Sequence, residues 1–181
     1  LSLRRQRQMC IRDRGSQANK ALIDAVSDME GVAVFNLYEL SQEIAFNVDE
    51  WSKIISDASA VIYQFPFYWM SAPSLLKKWQ DEVFTFLSKT PAVAGKTLTV
   101  VTTTGSEYEA YRSGGRNRFT TDELLRPYQV SAIHSGMSWQ TPIVVYGMGT
   151  ADAGKNIAEG ANLYKQRVEM LIGSSNAGNN W

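Results

Sequence analysis

At 181 residues the chain is long enough for one full hydrophobic core and short for two ordinary domains. Its 44% hydrophobic and 20% charged content is that of a globular protein, and no apolar run approaches the roughly 20 residues that span a bilayer. The formal charge is zero, yet residues 1–14 hold five arginines against Asp13 alone, which leaves 13 basic and 17 acidic residues elsewhere and argues against a nucleic-acid partner.

The opening string LSLRRQRQMCIRDR has no strand alternation, no sustained helical face and no apolar core of a signal peptide. It resembles translated sequencing-adapter read-through, so residues 1–14 are expected to be a non-native segment. Cys10, the single cysteine, falls inside it, and His134 is the single histidine. A disulfide framework, a Cys/His metal site and a Cys-His nucleophile are therefore not expected.

From Ser16 the pattern alternates helix and strand. Ala18, Leu22, Ile23, Val26 and Met29 share one face of a helix that Ser16 can cap and Gly31 can end. Val32 to Leu37 reads as a strand, and Asp49 can cap a helix through Ile55. Ala58 to Phe65 is a β-rich run continuous enough to be buried on both faces, and Pro66, with no N–H for a ladder, ends it. Phe67, Tyr68 and Trp69 follow with little periodicity. Ser71 and Pro73 suit an N-cap and first turn of a helix from Ser74 to about Leu87, on which Lys77 and Lys78 form a solvated flank. Leu98 to Thr103 is another buried strand, and Gly105 to Asn117 is a loop rich in Gly, Tyr and charge. Thr120-Thr121-Asp122-Glu123 has the pattern of a capping box for a helix that Pro127 bends, that carries His134 near its end and that Gly136 closes. Pro142 to Tyr146 is a fifth strand and Ala153 to Ile172 a last helix. The polar tail 173–181 is expected to be disordered.

This order predicts an α/β domain over 15–172: a parallel sheet of flavodoxin-like order 2-1-3-4-5 with helices on both faces. No strand precedes the Ser16 helix, so the central first strand is expected to be missing or replaced. Three loops then share the C-terminal edge of the sheet, where flat cofactors bind. Gly15 to Asn19 opens a helix and offers free N–H groups to a phosphate. Pro66 to Ser71 is aromatic, and Thr103 to Tyr111 supplies hydroxyls and a glycine that permits close approach. Gly147-Met148-Gly149 lacks the third glycine of a dinucleotide fingerprint and is not read as one. Trp139 is assigned to the core rather than to the pocket.

The strings ANKAL after Ser16, YQFPFYWMSAPSLLKKWQDEVF, VTTTGSEYEAY, ELLRPYQ and GMSWQTP resemble, in this order, the flavodoxin-fold NAD(P)H:quinone oxidoreductase family. That family includes modulator-of-drug-activity enzymes and the ancillary oxidoreductases of glutathione-gated potassium efflux systems. The resemblance implies FMN, or FAD as the alternative, with NAD(P)H as donor and a quinone as acceptor. It places the flavin phosphate against Ser16, Gln17, Ala18 and Asn19, and the ring against Pro66 and the main chain of Phe67, Tyr68, Trp69 and Met70. Thr103, Thr104, Gly105 and Ser106 line its pyrimidine side, and Tyr111 matches the family tyrosine that points into the substrate site. Three departures stand out: Ser106 where the family often has a second glycine, Asn117 where mammalian members have a histidine, and FTFLSKTPAVAG in place of a longer Gly- and Tyr-rich stretch. The implied enzyme is a cytoplasmic homodimer working by ping-pong hydride transfer. An alternative is a flavin-bearing ancillary subunit of a potassium efflux transporter, peripheral to the inner face of the membrane. A one-electron flavodoxin carrier is disfavoured by the family motifs after the aromatic loop and by a surface that is not strongly acidic.

Overall fold

A computed structural model describes residues 2–4, 14–40 and 45–177; Cys10 and most of the arginine-rich start lie outside them. The elements in chain order are β1 (Ser2–Arg4), α1 (Arg14–Asp24), β2 (Val34–Asn36), α2 (Leu37–Leu40), α3 (Val48–Ser56), β3 (Ala60–Pro66) and α4 (Ser74–Trp79). A π-helical turn, Gln80–Phe84, joins α4 to α5 (Thr85–Leu87). There follow β4 (Thr97–Thr103), a 3₁₀ turn at Tyr108–Tyr111, α6 (Thr121–Leu124), α7 (Arg126–His134), β5 (Ser138–Trp139), β6 (Ile143–Val145) and α8 (Ala153–Ala177).

The described strands pair in parallel in the order β2-β1-β3-β4-β5, and β6 continues the same edge by pairing with the end of β4. The fifth strand is thus two short pieces on either side of Pro142. The central place is occupied by Ser2–Arg4, which pair with Val34–Asn36 on one side and with Ile62 and Tyr63 on the other. The strand expected to be missing or replaced is therefore present as three residues of the arginine-rich start, against seven in β3.

Every residue of β3 is buried, because both faces of the sheet are covered. Val61, Tyr63 and Phe65 face a core with Trp51 and Ile55 of α3, Leu76 and Trp79 of α4, and Tyr128 of α7. Ile62 alternates to the other face, where Ala18 and Leu22 of α1 and Tyr164 and Val168 of α8 pack with Val101 and Val145.

Helix ends depart from the local reading where a better-placed residue supplies the cap. Asn47, not Asp49, caps α3, its Oδ1 accepting from the Asp49 and Glu50 amides at 3.0 and 3.2 Å. α4 starts after Pro73 with no side-chain cap, so Ser71 does not cap it. α1 begins at Arg14, which puts Ser16 inside the helix rather than at its cap. It tightens into i→i+3 turns after Asp24, with Val26 donating to Ile23 and Met29 to Val26. The capping box forms as expected: the Thr120 amide donates to Glu123 Oε2 at 2.8 Å and the Glu123 amide to Thr120 Oγ1 at 3.2 Å. The Thr120 amide, and the Thr120 hydroxyl donating to the same oxygen at 2.8 Å, hold the Glu123 carboxyl below its ordinary range. α8 runs to Ala177, five residues past the Ile172 boundary read from the sequence.

α8 sits close against β6 because Gly160 has no side chain. A Cβ there would stand 2.4 Å from Val145 Cγ2. Gly160→Ala is expected to lower stability by about 1–3 kcal/mol through overpacking, although alanine is the better helix former by about 1 kcal/mol. Urea denaturation checks this, and a raised midpoint would show that the helix backs away at no cost.

Candidate active site

The chain leaves β3 through Pro66, whose successor Phe67 donates its amide to Thr103 O at 2.9 Å. Tyr68 and Ser71 then exchange two backbone bonds, at 3.0 and 2.9 Å, and close a two-residue hairpin turn. Its tip residues, Trp69 and Met70, have φ of 47° and 62°. Such a turn favours Asn-Gly, because left-handed backbone costs a bulky residue about 1–2 kcal/mol. Strain of this kind persists only where the surroundings hold it. Here the Ala72 amide donates to the Tyr128 hydroxyl at 3.1 Å, and the Phe67 ring is buried against Tyr111 with centroids 6.1 Å apart. Phe67 is thus tucked into the core, whereas Trp69 is 98% exposed and Met70 43%.

β4 ends beside this turn. The Thr104 amide donates to Val145 O at 2.9 Å, and Thr104 Oγ1 to Ser106 O at 2.8 Å. The loop after β6 fastens onto the same stretch: Gly147 donates to Ser106 O, Met148 to Thr104 O and Gly149 to Gly105 O, at 2.8–2.9 Å. A Cβ on Gly149 would stand 3.0 Å from Gly105 O, so this glycine permits the close approach. Gly147-Met148-Gly149 is a scaffold for the 104–106 loop, a role no local pattern discloses.

Tyr111 leaves the 3₁₀ turn with its ring between Phe67 and Tyr146, the latter at 5.9 Å. Burial raises its phenol pKa above the ordinary value; Ser106 and Arg116 oppose that shift and Glu107 adds to it. Tyr146, which the sequence reading treated only as the end of a strand, stacks edge-on with Tyr108 at 5.3 Å and shares a 2.6 Å hydrogen bond with Thr121 Oγ1. It too is raised by burial. Tyr108, Tyr111 and Tyr146, with Thr121, Arg167 and Met170, line a concavity of about 470 Å³. A second cavity of about 360 Å³ lies at the opposite end of the sheet, between Val32, Phe35, Ala60 and Ile172, and contains none of the expected site residues.

The first loop reaches the site through buried polar contacts. Asn19 Nδ2 donates to Thr103 Oγ1 at 2.8 Å, and Gln64 Nε2 donates to Asn19 O at 2.8 Å. Asn19 and Thr103, 84 residues apart, therefore join α1 to the end of β4 and are committed to each other. Ala18 is fully buried in the core, and Gln17 is exposed on the first turns of α1. The N-terminal turn of α1, Arg14 to Gln17, is where the sequence places the phosphate.

The donor set fits a flat ring rich in acceptors. Among the described residues no acceptor meets the amides of Trp69, Met70, Gly105 and Ser106, and nothing lies within 4 Å of where a Gly105 Cβ would stand. No three His, Cys, Asp or Glu side chains cluster among the described residues, and no described helix is long and apolar enough to cross a membrane.

Comparison with known proteins identifies the fold family. The flavodoxin-like fold family matches residues 11–168. An NAD(P)H oxidoreductase of uncharacterised role, YdeQ of Bacillus subtilis, is 34% identical over 160 residues, covering 86% of this chain and 81% of that protein. The glutathione-regulated potassium-efflux system ancillary protein KefG of Serratia proteamaculans is 35% identical over 135 residues, covering 72% and 74%. The general stress protein 14 of Treponema denticola, solved with FMN, superposes with a TM-score of 0.78 at 27% identity over 86% of this chain and 91% of that one. The chain belongs to the flavodoxin-fold NAD(P)H:quinone oxidoreductase family.

In this flavodoxin-fold oxidoreductase the remaining candidates take structural places. His134 is the last residue of α7, before Gly136 at φ 70°. Lys77 and Lys78 pair with Asp81 and Glu82 one turn on. Trp139 packs against the larger core cluster. Asn117 donates its amide to Ala110 O at 2.9 Å and stays half-buried.

Proposed function

We propose that the chain is a flavin-dependent NAD(P)H:quinone oxidoreductase, with FMN as cofactor and FAD as the alternative. The observation that carries this reading is the strained aromatic turn beside the Thr103–Ser106 loop, both with unengaged amides, on a fold whose Treponema relative holds FMN. When bound, FMN supplies a store for the hydride that NAD(P)H gives and a quinone takes, while solvent provides the second proton of the hydroquinone. The chain's own part is placement. The N-terminal turn of α1 would hold the phosphate, the 67–70 and 103–106 main chains would hold the ring edge, and Thr103 and Asn19 keep these loops in register. Tyr111, backed by Phe67 and Tyr146, donates a hydrogen bond to the acceptor oxygen. One concavity beside Tyr111 serves donor and acceptor in turn, so exchange is ping-pong. The protein is a cytoplasmic homodimer.

Titration of the chain with FMN, followed by steady-state kinetics with NAD(P)H and a small benzoquinone, tests the reading. Stoichiometric binding and parallel double-reciprocal lines are expected. A chain that gains no bound FMN overturns the proposal, and intersecting lines would require a second nucleotide site.

The KefG relative supports a second reading, in which the chain is an ancillary subunit peripheral to the inner membrane face. Val130 and Ile133, one turn apart on α7, are 55% and 63% exposed and could meet a partner. Full flavin loading without NAD(P)H oxidation by any acceptor would favour this reading.

A further inference from the structure

Gln64 is the single amide side chain in β3, a strand buried at every residue. Alternation puts it on the same face of the sheet as Ile62, toward α1. Only one end of its amide is used. Nε2 donates to Asn19 O at 2.8 Å and stands 3.5 Å from Asn19 Oδ1, whereas Oε1 is buried and meets no donor among the described residues. The two ends are not interchangeable, because a backbone carbonyl only accepts. Methionine has the same length and no polar atom to bury, so the unpaired Oε1 costs stability that packing does not require.

We infer that Gln64 is a positioning residue for the cofactor site, which acts through Asn19 to fix α1 against the two loops that would hold the ring. Asn19 Nδ2 donates to Thr103 Oγ1 at 2.8 Å, and Thr103 O accepts from the Phe67 amide at 2.9 Å. Gln64, Asn19, Thr103 and Phe67 thus form one series that runs from β3 through α1 and the end of β4 to the aromatic turn. Gln64, Asn19 and Thr103 are 5%, 3% and 3% exposed, so water does not compete for these bonds. Ala18 and Leu22 also hold α1 to the sheet, but apolar burial is non-directional and lets a helix slide and turn by small amounts. Hydrogen bonds prefer fixed distances and angles and remove that freedom. A shift of about 1 Å between the first turn of α1 and the 103–106 loop would pull apart the groups that must meet one ligand together. The consequence for the cofactor rests on the oxidoreductase reading, whereas the hydrogen-bonded series belongs to the chain alone.

Gln64→Met tests this, since it keeps the length of the side chain and removes both polar atoms. Asn19 O keeps the amide that the helix supplies four residues on, so the substitution orphans no carbonyl there and deletes the unpaired Oε1. The flavin-free variant should therefore melt at the parent temperature or above it, while FMN binds about 10-fold more weakly, the equivalent of one lost hydrogen bond. A residue that serves packing alone would move both readings in the same direction. Because Gln64 acts through Asn19, Gln64→Met added to Asn19→Ala should weaken FMN binding no further. Amide hydrogen exchange of the flavin-free chain, followed by NMR, reads the series without any ligand. The Phe67 amide should exchange about 5-fold faster in Gln64→Met, while Val100 in the middle of β4 keeps its parent rate. Unchanged FMN affinity in Gln64→Met, a melting temperature that falls together with that affinity, or additive losses in the double variant would each overturn the inference. Failure of the parent chain to bind FMN sinks the oxidoreductase reading and leaves exchange to decide: faster exchange at Phe67 supports the positioning role, and a parent-like rate overturns it.

Discussion

Tyr111→Phe is expected to slow the acceptor half-reaction about 10-fold while flavin content stays that of the parent chain. The hydroxyl is the only atom removed, and one hydrogen bond made in the transition state is worth about 1.4 kcal/mol, a factor of ten in rate. Flavin content should hold because the ring still fills the space between Phe67 and Tyr146, at 6.1 and 5.9 Å. Stopped-flow reoxidation of the reduced protein by benzoquinone measures the effect. An unchanged rate would remove Tyr111 from the mechanism and leave it a packing residue of the tyrosine cluster.

Substitutions at Trp69 should separate stability from cofactor affinity. The indole is 98% exposed and contributes almost nothing to the core, yet its backbone is held at φ 47°. Trp69→Gly is expected to stabilise the flavin-free chain by about 1 kcal/mol, because glycine takes this conformation without the Cβ penalty. Both Trp69→Gly and Trp69→Ala should weaken FMN binding by at least about 10-fold. A tryptophan can cover on the order of 150–250 Å² against a ligand, and even partial loss of that burial exceeds 1.4 kcal/mol. Thermal denaturation of the flavin-free protein and FMN titration by fluorescence read the two effects independently. Equal FMN affinity in all three proteins would mean that the indole serves another surface, and a drop in flavin-free stability would mean that the turn is not strained.

Several elements could be read locally because their causes are local. The buried runs of β3 and β4, the stop at Pro66, the Thr120-Glu123 capping box and the Gly136 terminus each follow from residue type and spacing over a few positions. The resemblance placed the aromatic turn and the Thr103–Ser106 loop in one site, and the structure brings Phe67 and Thr103 into direct contact. Choices between competing caps were read less well. Asn47 and Asp49 are both good caps, and only the path of the chain into α3 selects Asn47. Ser16 likewise looks like a cap until helical pairing is seen to begin at Arg14.

By itself the sequence determined the alternating pattern, the two buried central strands and the chemistry of the three loops, since these depend on hydrophobic periodicity and turn residues. Only the tertiary structure decided which groups meet. Parallel pairing of β6 with β4 carries Gly147-Met148-Gly149 onto the 104–106 carbonyls and puts Tyr146 behind Tyr111. Closure of the 107–117 loop at Gly115 sets Arg116 on Ser106, ten residues away in the chain. The left-handed backbone of Trp69 and Met70 belongs to the same class, because neither residue prefers it and the Tyr68–Ser71 pair, the Tyr128 hydroxyl and the buried Phe67 ring impose it together. Contacts of this kind are fixed by strand register and loop closure over long sequence separations, for which no single residue type carries a signal.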